Sequence, residues 1–403
     1  MTVAAIPGAA AKVTGVDEPD NREPAEVAAE ARRIWTRLGV ALAVLLAGVV
    51  AIALLAGGRP VGPGTGTYDA GTTDPLRAAL PLLEAYVESG RGLQFHGKVR
   101  VSVVDETTLA QLTGKPLSAK AAPATDRAAT LATLGLTAPP GPAIAAGTAY
   151  GTDAYYSFTG HTIYLRGGQF DAYRRTVLVH ELTIALDDQH FGLQRLSTNA
   201  AGNADALRAL DALIDGDATR IELGYVAGLS GTDQRSVKVA HDYDPPASTY
   251  AQNVAAFTVT AGADFVSSLV AAGGNGRVDA AFANPPSSSG QILGPKVYLN
   301  DRQPYSVREP TSTGTVLDRG SLGQFGLAMV LTDGARYRNV SVLADVQGDT
   351  YVTTRARGKT CVTDSVLLPS DVSRDQLLRT MNAAGLAASR LLIDNSLSFQ
   401  VCR

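Results

Sequence analysis

Apolar residues return at three- and four-residue spacing through Arg174–Leu193 (RRTVLVHELTIALDDQHFGL), where Val177, Leu178, Leu182, Ala185 and Leu186 fall on one side. This period predicts a helix packed along one face. The same spacing predicts helices at Asp74–Ser89, around Arg127–Leu134, from Asn203 to about Val226, and at Ser248–Ala272, Ser321–Leu331 and Arg374–Ser389. Alternation predicts strands at Lys98–Val104 (KVRVSVV) and in the C-terminal segments TCVTDSV and SFQVCR. In YYSFTGHTIYLRGG two alternating halves flank a Thr159-Gly160 turn, which predicts a hairpin leading into the Arg174–Leu193 helix. The rest of Pro116–Gly147, rich in Ala, Pro and Thr, reads as a loop, and GGNG breaks the helix that ends at Ala272. There is no internal repeat, and this order of elements predicts an α+β fold, mainly helical with a small antiparallel sheet.

Upstream, Leu38–Gly58 (LGVALAVLLAGVVAIALLAGG) contains no charged residue. It is long enough to cross a hydrocarbon core of about 30 Å as a helix, and it lacks the polar face a core helix would need. A cleavable signal peptide would have a shorter apolar region nearer the start. Arg32, Arg33 and Arg37 precede the run and only Arg59 follows it closely, so the positive-inside rule puts the N-terminus in the cytoplasm and the rest outside. Trp35 falls at the inner boundary, where an amphipathic ring is favoured. The expected organisation is a disordered cytoplasmic tail at 1–33, a single-pass transmembrane helix at 34–58, a Gly/Pro/Thr-rich linker at 59–73 and an extracytoplasmic domain at 74–403.

A net charge of -3 over 403 residues makes no electrostatic case for nucleic acid, and 45% apolar residues suffice for a substantial core. The two cysteines, Cys361 and Cys402, both lie in the exported part, where an oxidising compartment would let them pair as a disulfide. Two buried free thiols are the other reading.

The candidate chemistry lies inside the first helix, at His180-Glu181. A zinc protease helix carries a second His four residues after the first, because such residues share one helix face. Here that position is Ile184. Taken whole, VLVHELTIALDDQHFGL resembles the active helix of a family of zincin-like, gluzincin-type metallopeptidases with a HELTHALQDQ-type run. Asp215-Gly216-Asp217-Ala218-Thr219 resembles that family's acidic run on a later helix, and TAGADFVSSLVAAGG and PPSSSGQILGPKVY resemble two downstream stretches. The likeness covers Tyr155–Tyr298 and more weakly the remainder. It implies a zincin-like domain with His180 as zinc ligand, Glu181 as general base and Asp215 as third ligand in place of a Glu. Gly290 and Gly294 stand where the family pattern implies an acidic residue and a His.

That inventory is one ligand short of the three protein ligands of a catalytic zinc. His190, ten residues after His180, has the metzincin spacing, but Asp187 replaces the Gly that turns the chain back, and a continuous helix would carry His190 about 15 Å along its axis. His161 on the hairpin and His241 in the loop AHDYDPP are other candidate donors, and His96 is more remote still. Tyr225, Tyr243 and Tyr298 could stabilise an oxyanion. Without metal, Glu181 could pair with Arg174 about two turns back. The implied function is a membrane-anchored, catalytically impaired metallopeptidase homologue, a pseudoenzyme that binds a peptide or protein partner, with zinc weakly held or absent. The alternatives are an active zinc metallopeptidase with atypical ligands and a structural cell-envelope protein.

Overall fold

Helices fill the middle of the chain and strands gather at its two ends. The computed structural model describes residues 75–113, 124–136, 153–242, 250–332, 341–390 and 396–403. The expected tail, membrane helix and linker, most of the Pro116–Gly147 loop and Tyr243 lie outside these. Helix α1 (Pro75–Arg91) leads into strands β1 (Arg100–Val104), β2 (Ala154–Ser157) and β3 (Thr162–Arg166). Three long helices follow: α2 (Ala172–Phe191), α3 (Ala204–Ala227) and α4 (Tyr250–Gly273). The C-terminal part comprises β4 (Thr315–Gly320), α5 (Gly323–Leu331), β5 (Gly348–Ala356), β6 (Lys359–Leu367), α6 (Asp371–Ala383), β7 (Ala387–Arg390) and β8 (Leu397–Cys402).

This is a mixed helical and sheet fold with more sheet than the periodicity suggested. In the first sheet, β3 pairs with β2 as the expected hairpin and with β1 in parallel. The second is a five-stranded antiparallel sheet ordered β4-β5-β6-β8-β7. The helix expected through Ser389 stops at Ala383, because Gly385 takes a positive φ of 79° and the chain then pairs with β8. A further helix, Gly231–Asp242, takes in His241, which the sequence had placed in a loop.

Helix α2 departs most from expectation. It is capped by Asp171, whose side chain accepts from the Arg174 N–H, and closed by Gly192 in the left-handed region. Thr176 through Asp188 are all buried, on every face rather than one. A helix buried all round sits at the centre of a core. Its neighbours include α1, α3, β2 and the helix Gly231–Asp242.

Glycine sets the spacing of the next layer. A methyl group added to Gly216 on α3 would land in the Gly262 backbone of α4, and one added to Gly262 would land on the Ala212 carbonyl. The two backbones therefore touch. Among the described residues, Gln252–Gly273 is long and apolar enough to cross a membrane. In the fold, Phe257, Gly262, Phe265, Val266 and Leu269 form its buried face, while Ala256, Thr260, Asp264 and Ser267 point outward. That is the pattern of a core-facing helix.

Cys361 and Cys402 are disulfide-bonded and lie opposite each other in the β6–β8 register. Thr360 and Arg403 exchange both backbone hydrogen bonds beside them, so the cysteines occupy the neighbouring wide position, where facing side chains approach most closely.

Two outcomes follow from this packing. Gly216→Ala should destabilise the protein by about 2 kcal/mol despite alanine's better helix propensity, because two backbones must part. Gly202→Ala, whose new methyl group meets no atom within 4 Å, should change stability by less than about 0.5 kcal/mol, both read from urea midpoints. Opening the disulfide with Cys402→Ser should cost about 4 kcal/mol on chain-entropy grounds, given the 41-residue separation of its ends, and a loss below about 1 kcal/mol would refute that assignment.

Candidate functional site

His180 and Glu181 occupy the middle of α2 and are 0% exposed. The His180 Nδ1 lies 3.0 Å from Oε2 of Glu222 on α3, a nearly fully buried pair. Glu181 sits beside it without such support. Neither of its carboxyl oxygens has a hydrogen-bond partner among the described residues, and the Tyr156 backbone N–H approaches without reaching hydrogen-bond geometry. Asp215 faces His180 from α3, near the Thr258 hydroxyl of α4, which donates to the Ala255 carbonyl, and its Oδ1 is unmatched among the described residues. Asp211 stands one helical turn before it.

Charge inside this enclosure follows from desolvation. Burial pushes Glu181 up to about 8, with the His180 charge opposing the shift and Asp215 adding to it. Burial likewise raises Asp215 against the pull of His180, and raises Asp211 well above the carboxylate range with Asp215 adding to the effect. Burial opposes a charged His180, but the Glu222 hydrogen bond and charge, with Glu181 and Asp215 behind them, outweigh it and raise His180. The arrangement is a buried His180–Glu222 pair beside Glu181, with Glu181, Asp215 and Asp211 all shifted by burial toward their neutral forms.

The Asp-Gly-Asp run on α3 serves two partners. Asp215 faces His180, while Asp217 Oδ2 lies 2.6 Å from Arg91 Nε. Arg91 is 0% exposed and also bonds Asp187 of α2 at 3.0 Å and Asp279 at 2.9 Å. Burial and the Asp217 charge hold Asp187 well above its ordinary range despite Arg91. This cluster clamps the C-terminal end of α1 onto α2 and α3.

The remaining candidates lie elsewhere. Helix α2 runs unbroken to Phe191, and His190 at its end places Nε2 2.8 Å from the Gln94 carbonyl. His161, at a positive φ of 45° on the hairpin turn, puts Nδ1 3.1 Å from Asp188 and has a largely exposed side chain. Neither joins His180 as a third donor. Arg174 does not pair with Glu181: its guanidinium bonds the Arg166 carbonyl and faces Asp153 at 3.7 Å. Gly290 and Gly294 belong to the segment bonded to Asp205, ten residues before Asp215 on α3, about 15 Å along the helix. Tyr225 stacks edge-on against Tyr86, and Tyr298 donates to the Asn284 carbonyl.

Glu222 is the site residue that sequence reasoning missed. Its position carries a signal: it lies seven residues after Asp215, nearly two full turns, and so returns to the same face of α3.

A catalytic zinc takes three protein ligands and keeps one position for water. Here one imidazole is available, Ile184 is 2% exposed within the apolar core, and the remaining donors are enclosed carboxyls. Among the described residues no group of three or more His, Cys, Asp or Glu side chains is arranged to hold a metal ion. The donor set does not fit a catalytic zinc.

The raised Glu181 carboxyl makes stability pH-dependent in a defined direction. Its folded value of about 8 lies above the ordinary 4.5, so the folded state holds a proton the unfolded state releases between those limits. The contribution of Glu181 to stability is greatest below about pH 4.5 and falls as pH rises toward about 8, and His180, also raised, acts in the same sense. Glu181→Gln, which mimics the protonated acid, should flatten the fall by about one proton and stabilise the protein at pH 9 by several kcal/mol, on the order of 4. Urea denaturation across this range that gave the same slope for both proteins would contradict the assignment.

Comparison with known proteins returns no match: no family model, no curated protein and no solved structure matches this chain.

Proposed function

We propose that this chain is a membrane-anchored, extracytoplasmic protein of zincin-like descent that has lost peptidase chemistry and binds a peptide or protein partner. The single observation that carries the loss of chemistry is the enclosure of His180 and Glu181, both 0% exposed, with Ile184 packed into the core where a second zinc-binding His would stand. Hydrolysis requires a water and a scissile bond beside the general base, and a base in a sealed interior reaches neither. Support for the descent comes from the HELTIALDDQ run and from the way α3 brings Asp215 to His180. Support for the location comes from the uncharged Leu38–Gly58 run and, consistent with an oxidising compartment, the Cys361–Cys402 disulfide.

A second reading, a structural cell-envelope protein, draws on the same burial: α2 is a core helix whose His180, Asp187 and Asp188 bond inward. The two readings part over a partner. A binding protein yields a specific, saturable complex, whereas a structural one retains its full role when no such complex forms.

The test uses the full-length chain in detergent. With added Zn²⁺, cleavage of a peptide library should not exceed that of Glu181→Gln, and no tightly held zinc should be lost on His180→Ala. Cleavage abolished by Glu181→Gln, together with zinc that depends on His180, would overturn the proposal in favour of an active metallopeptidase with atypical ligands.

A further inference from the structure

Two histidines outside the buried cluster meet at the surface. His190, on the last turn of α2, and His96, in the segment after α1, bring their ring centres to 4.1 Å with planes tilted by 46°. Nothing in the buried cluster uses either.

The surroundings fix the His190 ring and the His96 backbone. The Nε2–H of His190 donates to the Gln94 carbonyl at 2.8 Å, which leaves Nδ1 as the bare nitrogen. A ring N–H donated to a backbone carbonyl is the support that orients metal-bound histidines and sets their tautomer. The neighbouring Gln189 holds the other side: its Oε1 accepts from the backbone N–H groups of His96 and Gly97, and its Nε2 donates to the Gly97 carbonyl. The His96 backbone is therefore pinned to the helix that carries His190. Two imidazoles bonded to one ion at about 2.0 Å would have ring centres about 4.5 Å apart at the right angle of a square-planar copper or nickel site and about 5 Å apart at the tetrahedral angle of zinc. The observed 4.1 Å is nearer the square-planar spacing.

We propose that His96 and His190 form a surface site for a borderline divalent transition cation, bound through Nδ1 of His190 and one ring nitrogen of His96, with water completing the coordination. Imidazole pairs select copper, nickel and zinc over magnesium or calcium, and copper binds most strongly in that series. His96 is exposed, so the ion needs no opening of the fold. An ion held there clips the segment after α1 to the end of α2.

The experiment titrates the metal-stripped full-length chain with CuCl₂ or ZnCl₂ alone, by calorimetry and by paramagnetic resonance of the Cu²⁺ form. One equivalent should bind, with two coupled imidazole nitrogens in the Cu²⁺ spectrum. His96→Ala and His190→Ala should each weaken binding at least about tenfold and remove one nitrogen coupling, while His161→Ala leaves both readouts unchanged. Circular dichroism of each variant separates a lost ligand from a lost fold. Binding that survives in the His96→Ala/His190→Ala double variant, or that is lost equally with His161→Ala, would overturn the proposal.

Discussion

A carboxylate taken out of water without a cation costs several kcal/mol, and the interior around α2 holds more carboxyls than cations. Asp187 and Asp217 share Arg91, Glu222 takes His180, and Glu181 and Asp215 have no cation of their own. This imbalance governs the interior. Arg91 anchors α1, and its loss would leave Asp187 without a cation and Asp217 with Arg220 alone at the contact of α1, α2 and α3. Around His180, burial raises Glu181 and Asp215 and so favours their neutral forms, a response open to any carboxyl sealed from water.

The imbalance exists because the helices stand so close. At Gly216 and Gly262, α3 and α4 meet backbone to backbone, and the acids on either side of Gly216 are carried inward, one toward Arg91 and the other toward His180. A larger residue at 216 would move both carboxyls together. The Asp-Gly-Asp sequence is therefore a packing device and an electrostatic one at once, with glycine permitting the approach and the acids meeting the groups it brings near.

Much of this was legible from spacing. The three-and-four period of Val177–Leu186 found α2 and the alternation of Tyr155–Arg166 found the hairpin, because both patterns reflect local geometry. Full burial of α2 was not legible, since His180, Glu181, Asp187 and Asp188 look like a solvated face until Arg91, Glu222 and Tyr156 supply inward partners. Glycine inside α3 reads as a weak helix position, and only the touching backbone of α4 gives it a purpose. His190 follows the same logic: its spacing from His180 matters only if the helix bends, and the helix instead continues to its left-handed cap at Gly192, as the sequence argument for a continuous helix expects. Glu222 was passed over because a glutamate in mid-helix ordinarily faces solvent, although its two-turn offset from Asp215 marks it as sharing that face.

Ile184 ties the electrostatics to the chemistry. A metal site pulls water and polar donors toward an opening, and a histidine one turn beyond His180 would need its own ring N–H satisfied. Isoleucine needs neither, and at 2% exposed it adds apolar contact on that side of the enclosure. The tighter the enclosure, the more strongly Glu181 retains its proton, and a protonated Glu181 cannot act as the base that the resemblance assigns to it. The apolar side chain at 184 and the raised Glu181 carboxyl thus belong to one packing arrangement. A histidine placed at 184 would add a donor to an enclosure that remained closed to water.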